Sequence, residues 1–248
     1  MDIRIKTRQE VHPDMQYAVS DIHGCYDKYI ELLRRINLKD SDTLYVLGDM
    51  VDRGPDGLKI LLDISMRPNI IPFLGNHEYA ALTCLPWLME ELTDENTEPD
   101  QLLWRLKSVQ GWMADGGDTT VAEFRRLSPE ARQDVLDVLE DLTVYEETEA
   151  GGREFVLVHA GLGGFSPGKA LDDYQLDELI LSRPEPGQDY FPDKYLVFGH
   201  TPTPFYTGAR TEDARIYRRD RLVAIDCGCV SGGPLGCICL DTMEETYV

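Results

Sequence analysis

The sequence predicts an α/β fold, with central strands flanked by helices and a helical insertion at about residues 79–142. Short apolar runs alternate with stretches of helical spacing at the start of the chain, and this order is typical of α/β folds. Helical spacing alone continues across the insertion, and strand-like runs return after it. Because no repeat or low-complexity segment divides the 248 residues, we predict one domain over residues 1–248.

Five short apolar runs rich in Val, Ile, Leu, Phe and Tyr are predicted to be buried strands. They cover residues 17–20, 43–47, 69–74, 155–158 and 195–198. Residues 26–36 and 58–64, between the first three runs, carry apolar side chains at helical spacing. Each run is followed at once by a cluster of Asp, His, Asn or Gly. Since ligands of open α/β sheets bind beyond the carboxyl ends of the strands, these clusters form the candidate site.

The predicted insertion contains four helical patterns separated by proline and glycine. The patterns cover residues 80–92, 102–113, 121–127 and 131–139. Ser128 before Pro129 is typical of a helix start, with serine as the N-cap and proline in the first turn. Trp104 and Trp112 are predicted to lie in the core of these helices, and a place in a substrate groove stays open as the alternative.

Three strand-like runs close the chain, at residues 214–217, 222–226 and 235–240. Arg218-Arg219-Asp220 and Ser231-Gly232-Gly233-Pro234 separate them, and both segments have the composition of turns. We therefore predict a β-meander, in which each of the three strands pairs with the next.

The charge balance limits the classes of partner. With 24 Lys and Arg against 45 Asp and Glu, the formal net charge is −21. Nucleic acids and anionic membranes need a basic protein surface, so we expect neither as a partner. The sequence has no run of 18 apolar residues, and its first residues lack the apolar stretch of a signal peptide, so we expect a cytoplasmic protein. The oligomeric state stays open.

Six cysteines in a chain without a signal peptide favour reduced thiols. The pairs Cys227 and Cys229, and Cys237 and Cys239, lie in neighbouring predicted strands, where the members of each pair would share a face. A zinc or redox site is one interpretation. We favour packing, because cysteine is also a small buried apolar side chain.

Carboxylate, imidazole and amide groups gather at the ends of the predicted strands, and Mn, Fe and Zn all accept such ligands. Asp21 and His23 are two residues apart across a turn, so both can reach one cation. Asp49 follows the next strand and could bridge two cations, which would lie about 3.5–4 Å apart. The candidates for completing a second site are Asn76, His159 and His200. The spare histidine, His12, is predicted to lie in a surface loop.

Five motifs at these positions resemble the calcineurin-like metallophosphoesterases, and within them the bacterial and phage members of the serine/threonine protein phosphatase branch. The motifs are Asp21-Ile22-His23-Gly24, Gly48-Asp49-Met50-Val51-Asp52-Arg53-Gly54, Gly75-Asn76-His77-Glu78, His159-Ala160-Gly161 and Gly199-His200-Thr201. The resemblance implies a sandwich of central β-sheets flanked by helices. Asp115 stands where these relatives often have Asn before two glycines.

The resemblance also implies two divalent metal ions, with Mn favoured over Fe or Zn. Asp21, His23 and Asp49 would hold one metal. The second would be held by Asp49, Asn76, His159 and His200. A metal-bridging water would then attack phosphorus directly.

Further roles follow from the same resemblance. His77 would protonate the leaving alkoxide, and Asp52 would orient its imidazole. Arg53 and Arg183, together with Asn76, would bind the phosphate oxygens, which suits the planar fork of a guanidinium. A surface arginine after a helix is the alternative interpretation of Arg183.

The favoured function is therefore hydrolysis of phosphoserine and phosphothreonine in proteins. The first alternative is a nucleotide hydrolase resembling the symmetrical diadenosine tetraphosphatases, which tend to have Ala and Asp where this chain has Asp52 and Glu78. A non-catalytic scaffold is a third hypothesis, but it would be expected to lack ligands, and every expected ligand is present. The partner is thus predicted to be a phosphorylated protein or a small phosphoester.

Overall fold

The computed structural model describes residues 14–91, 93 and 98–248, so the prediction for His12 lies outside the described residues. The strands are β1 (Gln16–Val19), β2 (Thr43–Val46), β3 (Ile70–Pro72), β4 (Tyr145–Ala150), β5 (Arg153–Val158), β6 (Lys194–Phe198), β7 (Tyr217–Arg219), β8 (Leu222–Ala224), β9 (Gly236–Cys239) and β10 (Glu245–Tyr247). The helices are α1 (Tyr26–Arg35), α2 (Gly57–Ser65), α3 (Asn76–Cys84), α4 (Pro99–Trp112), α5 (Asp118–Phe124), α6 (Pro129–Glu140), α7 (Leu176–Ile180) and α8 (Pro204–Thr207).

The strands form two five-stranded sheets of mixed direction. The first has the order β10-β9-β1-β2-β3, with β1, β2 and β3 parallel. The second has the order β4-β5-β6-β8-β7, with β5, β6 and β8 parallel. The α/β sandwich expected from the sequence is therefore confirmed.

Apolar side chains join the two sheets face to face. Ala18 and Tyr45 of the first sheet share one core with Phe155 and Val197 of the second. Strand side chains alternate between faces, so the neighbouring residues of each strand point outwards to the helices. On the first sheet these neighbours pack against α1, α2 and α3, and on the second sheet against α7.

Helix α1 shows why the flanking layers form. Tyr29 and Leu32 lie three residues apart, on one face of the helix, and both are fully buried. Asp27 lies in the first turn, and Arg34 and Arg35 lie in the last, where each charge is favourable to the helix dipole. The apolar face therefore packs on the sheet while the charged residues stabilise the helix ends.

The parallel strands place the candidate residues at the same edge of the sandwich. Within each sheet, parallel neighbours end on the same side. Residues 21–24, 48–54 and 75–78 follow β1, β2 and β3, while residues 159–161 and 199–201 follow β5 and β6. All five motifs therefore lie beyond the carboxyl ends of the strands, four of them in loops and residues 75–78 at the start of α3.

The predicted β-meander at the end of the chain is wrong. β7 and β8 do pair as an antiparallel hairpin in the second sheet. β9 instead joins the first sheet, where it lies antiparallel to both β1 and β10. All four residues of β9 are buried, so this strand fits an interior position, which the edge of a meander would not provide.

Helices α3 to α6 account for most of residues 76–140. Helix α4 packs against α3, and α5 and α6 pack against α2. Trp112 is buried as predicted, whereas the prediction for Trp104 is wrong, since 57% of its surface is exposed. Trp104 contacts Trp87 edge-on instead. Within the described residues, every helix is too short or too polar to span a lipid bilayer.

The four C-terminal cysteines are all buried. They lie in, or close to, the two apolar cores on either face of the first sheet. Cys237 lies in the core between that sheet and its helices, and Cys227 lies in the core between the sheets. Burial raises the pKa of the Cys227 thiol to about 12. The raised pKa values of Cys227, Cys229 and Cys237 keep these three thiols protonated near neutral pH, and all four cysteines occupy the positions of small apolar side chains.

Candidate metal centre

Strained backbone marks the loops of the candidate site. Non-glycine residues rarely adopt a positive φ, because Cβ crowds the backbone at a cost of about 1–2 kcal/mol per residue. Among the described residues that do so are Asp21, His23, Asp49, Asp52, Arg53 and His200, with φ between 44° and 68°. Such conformations persist only where the surroundings enforce them, and they concentrate at functional sites.

Two histidines have their imidazoles oriented by backbone carbonyls. Nδ1 of His23 lies 2.9 Å from the Val51 carbonyl oxygen, and Nδ1 of His159 lies 2.7 Å from the carbonyl oxygen of Leu47. Each Nδ1–H donates to its carbonyl, so the lone pair of each ring is on Nε2. A histidine that ligates a metal through one ring nitrogen typically donates the N–H of its other ring nitrogen to a partner such as a backbone carbonyl.

Asp49 lies between these two histidines. Its Oδ2 is 3.6 Å from Nε2 of His23, and its Oδ1 is 3.4 Å from Nε2 of His159. One carboxylate therefore presents a different oxygen to each histidine, which is the arrangement that a bridging ligand needs.

The described residues contain two groups of side chains that could each hold a cation, and Asp49 belongs to both. The first group is His23, Asp49 and His77, and the second is Asp49, His159 and His200. In each group the ligand atoms lie within 4.8 Å of one another. Asn76 adds an amide oxygen to the second group, with Oδ1 at 3.1 Å from Nε2 of His159.

Asp21 lies outside both groups, and its role as a ligand of the first metal stays a prediction. Both of its oxygens accept the backbone N–H of His200, at 3.0 and 3.1 Å. Burial, followed by the nearby carboxylates of Asp226 and Asp49, raises its pKa well above the usual range. Asp21, in the loop after β1, therefore accepts a hydrogen bond from His200 in the loop after β6, and this bond joins the two loops.

The donor set fits divalent cations. Nε2 of His159 and Oδ1 of Asn76 are both acceptors, and they face each other at 3.1 Å, an arrangement that a cation satisfies. Burial is also the main cause of the raised pKa of Asp49, and the neighbouring Glu78 contributes. A centre that crowds buried carboxylates and imidazole lone pairs together attracts positive charge, and Mn, Fe and Zn all suit these ligands.

His77, a member of the first group, forms a buried pair with Asp52. Nδ1 of His77 donates to Oδ2 of Asp52 at 2.7 Å, and the two residues are 2% and 0% exposed. Nε2 of His77 faces the centre and lies 3.9 Å from Oδ2 of Asp49. His77 therefore has the geometry of a general acid held by a carboxylate, and it also lies within reach of the first cation position.

Arg53 occupies the space between the imidazoles. Its Nη1 donates to Nε2 of His23 at 2.8 Å, and its Nη2 donates to Nε2 of His77 at 2.9 Å. A positive group thus already lies against the two lone pairs. Nη2 also donates to Oδ1 of Asp115 at 3.1 Å, so the guanidinium is anchored on both sides.

Arg183 lies at the opposite edge of the centre, beside the second group. It is exposed, and its Nη1 donates to the hydroxyl oxygen of Thr201 at 3.3 Å. Burial, followed by the nearby Arg183 charge, lowers the pKa of His200 to about 4. The guanidinium is therefore close enough to this group to act on a phosphate bound there.

Sequence reasoning missed four residues that hold the site in place. In the sequence, Glu78 distinguishes only between substrate classes, and Asp115 is only a departure from a motif. Trp112 is predicted to lie in a core, and no sequence pattern marks Thr120. Trp112 and Thr120 both donate to the carboxylate of Asp52. The segment Trp112-Met113-Ala114-Asp115-Gly116-Gly117 was the available signal for two of these residues, Trp112 and Asp115.

Comparisons with known proteins agree with this geometry. A sequence model of the family "Calcineurin-like phosphoesterase" matches residues 17–223. The asymmetrical bis(5'-nucleosyl)-tetraphosphatase PrpE of Bacillus velezensis is 26% identical over 245 residues, covering 88% of this chain and 85% of the relative. A symmetrical bis(5'-nucleosyl)-tetraphosphatase of Wigglesworthia glossinidia brevipalpis is 44% identical over 104 residues, covering 39% of this chain and 36% of the relative.

Solved structures show the same fold. The crystal structure of a candidate diadenosine tetraphosphatase matches with a TM-score of 0.63 at 21% identity, and the match covers 95% of each chain. A serine/threonine protein phosphatase of Saccharomyces cerevisiae matches with a TM-score of 0.54 at 16% identity, covering 91% of this chain and 72% of that one. At these identities the likeness concerns the fold alone.

The first prediction concerns Asp49. Because its two oxygens face two different histidines, Asp49→Asn should weaken both cation positions. We expect bound Mn, measured by elemental analysis after dialysis, to fall from about two per chain to fewer than one. Asp134→Asn, at an exposed position on α6, is the matched control. A variant that keeps two metals would show that Asp49 is not shared.

The second prediction concerns the lowered pKa of His200. Between pH 4 and about 6.5 the unfolded chain binds a proton that the folded protein does not. This contribution to the free energy of unfolding is therefore present above about pH 6.5 and is lost as the pH falls towards 4. We expect the urea midpoint of the metal-free protein to decrease more between pH 7 and 5 than that of His200→Gln. Equal decreases would contradict the assignment.

Proposed function

The chain belongs to the calcineurin-like phosphoesterase family and is a metal-dependent phosphoesterase, and we propose that its substrate is a dinucleoside tetraphosphate. The alignment with the asymmetrical tetraphosphatase carries this proposal, because it covers 88% of the chain. We further propose asymmetrical cleavage, which gives a nucleoside triphosphate and a nucleoside monophosphate. This substrate class differs from the protein substrates that the sequence motifs favour.

The proposed cation ligands are the residues that surround Asp49. His23 lies on one side, and His159, His200 and Asn76 lie on the other, while Asp21 positions the loop of His200. When bound, two divalent cations would supply a Lewis acid for the phosphate and lower the pKa of a nearby water.

The remaining steps depend on the protein's own side chains. Arg53 and Arg183, on opposite sides of the centre, would bind the phosphate oxygens through paired N–H groups. Once Nε2 has taken up a proton in place of its hydrogen bond from Arg53, His77 would donate that proton to the leaving oxygen, while Asp52 holds Nδ1 and keeps the ring in place. Desolvation of this buried pair strengthens each of these interactions.

Hydrolysis of phosphoserine and phosphothreonine is a second candidate, and one observation favours it. A departing alkoxide needs a proton, whereas a departing phosphate is a stable anion. With a proton on Nε2, the buried pair of His77 and Asp52 would be a proton donor, so it suits an alkoxide leaving group well. Asp52 also argues against the symmetrical tetraphosphatase pattern, in which alanine is expected at this position.

The third prediction is a comparison of substrates with Mn²⁺ present. We expect diadenosine tetraphosphate to be hydrolysed to ATP and AMP, detected by chromatography, at a higher kcat/KM than phosphoserine and phosphothreonine peptides. Asp49→Asn protein controls for contaminating enzymes. Release of ADP alone would indicate symmetrical cleavage. Faster turnover of the phosphopeptides, with the tetraphosphate unchanged, would favour the second candidate.

The fourth prediction separates the two possible roles of His77. If it is the general acid, His77→Ala should lower kcat on phenyl phosphate, whose leaving group is basic, by about 100-fold or more and kcat on p-nitrophenyl phosphate by less, while keeping its metal content. His23→Ala is the comparison, since it should lose metal. Loss of one metal equivalent from His77→Ala would identify His77 as a ligand of the first cation.

A further inference from the structure

The dipeptide Asp52-Arg53 has an unusual backbone. Both residues adopt the left-handed conformation, with φ of 68° and 66°. Consecutive non-glycine residues of this kind are disfavoured, so contacts from outside the dipeptide must hold it. The side chains concerned are the partner of the proposed acid and a proposed phosphate ligand.

Those contacts come from one segment, residues 112–120, which runs from the last residue of α4 into the first turn of α5. The Thr120 hydroxyl accepts the backbone N–H of Asp52 at 3.0 Å, and the Gly116 carbonyl accepts that of Arg53 at 2.9 Å. Gly116 has a φ of 104°, and a Cβ there would lie 2.6 Å from Cγ of Arg53. Both N–H groups of the strained dipeptide are therefore bound by the same segment.

The same segment also binds the Asp52 side chain. The indole N–H of Trp112 donates to Oδ2 at 2.7 Å, and the Thr120 hydroxyl donates to Oδ1. Oδ2 also accepts Nδ1–H of His77 at 2.7 Å. Asp52 is 0%, Thr120 0% and Trp112 4% exposed, so no water competes for these bonds.

Packing fixes the indole ring itself. A Cβ at Gly117 would lie 2.5 Å from Nε1 of Trp112, so only glycine allows this approach. The ring therefore has little freedom, and its N–H points at the carboxylate in a defined direction.

We infer that Trp112 and Thr120 are positioning residues for the general acid: they hold the Asp52 carboxylate so that His77 keeps its Nε2 directed at the reacting centre. The side-chain hydrogen bonds described for Trp112 and Thr120 all go to Asp52. Their effect passes through Asp52 alone. The inference rests on the proposed acid role of His77, and it does not depend on which phosphoester is the natural substrate.

The leaving group reports on this role. A misplaced acid slows the departure of a basic leaving group, whereas a good leaving group departs without the proton. Phenyl phosphate and dinitrophenyl phosphate differ mainly in the basicity of the leaving group, which is much higher for phenyl phosphate. A purely structural role would lower the turnover of both substrates in the same proportion.

We therefore compare Trp112→Phe, which keeps the ring and removes the N–H, with Thr120→Val, which keeps the shape and removes the hydroxyl. We expect kcat on phenyl phosphate to fall about tenfold or more, and kcat on dinitrophenyl phosphate to change less than about twofold. Thr120→Ser keeps a hydroxyl and should restore turnover. Trp104→Phe, an exposed position on the same helix, is the matched control.

Combination with His77→Ala tests the pathway. If Trp112 acts through the acid, Trp112→Phe should cause no further loss in the His77→Ala background. An equal loss on both aryl phosphates, or a full additional loss in the double variant, would overturn the inference.

A second readout needs neither metal nor substrate. In the metal-free protein, the Nδ1 proton of His77 should give a downfield NMR resonance, because it is held by a buried carboxylate. Trp112→Phe should shift or broaden this resonance, while Trp104→Phe should leave it unchanged. An unchanged resonance in a folded Trp112→Phe protein would overturn the inference, whereas failure of the tetraphosphate assay would affect only the proposed substrate.

Discussion

The buried carboxylate of Glu78 holds the turn after β2, and the rest of the centre depends on this interaction. It accepts the backbone N–H groups of Asp49 and Met50 at 2.7 Å each, of Val51 at 3.1 Å and of Gly75 at 3.0 Å. Hydrogen bonds to a charged group are worth about 1.5–3 kcal/mol each, and four of them occupy the lone pairs of the carboxylate. The loops after β2 and β3 are thereby joined. Because Glu78 binds backbone only, its identity reports on loop geometry and carries little information about the substrate.

The strained residues follow from the same constraint. A loop that must turn sharply after a strand and still direct a side chain at its neighbours leaves few backbone conformations available. Asp49 and His200 both adopt a positive φ, and each meets a partner from the other sheet or from another loop. The two sheets supply the rigidity, since the parallel strands end at one edge. The energy that keeps these conformations therefore comes from the sandwich core, and the loops alone could not maintain them.

The excess of negative charge in the chain extends to its centre. The chain carries a net charge of −21, and its centre gathers imidazole lone pairs and buried carboxylates that favour cations. Arg53 lies among those groups, bonded to His23, His77 and Asp115. A phosphate entering the site would compete with these acceptors for the same guanidinium. The position of Arg53 is therefore shared between holding the site together and binding substrate.

The sequence by itself determined the α/β class, the places along the chain of the five strands that precede the site, the five motifs and the residues they carry. Each motif directly follows its strand, so its place at the edge of the sheet depends on local pattern alone. The tertiary structure decided the exposure of Trp104. It also decided the contacts between distant segments: the pairing of β9 with β1, the hydrogen bond between Asp21 and His200, and the hydrogen bonds of Trp112 and Thr120 to Asp52. These contacts join residues that are dozens to hundreds of positions apart. Their partners are selected by packing of the whole chain, which no local spacing encodes.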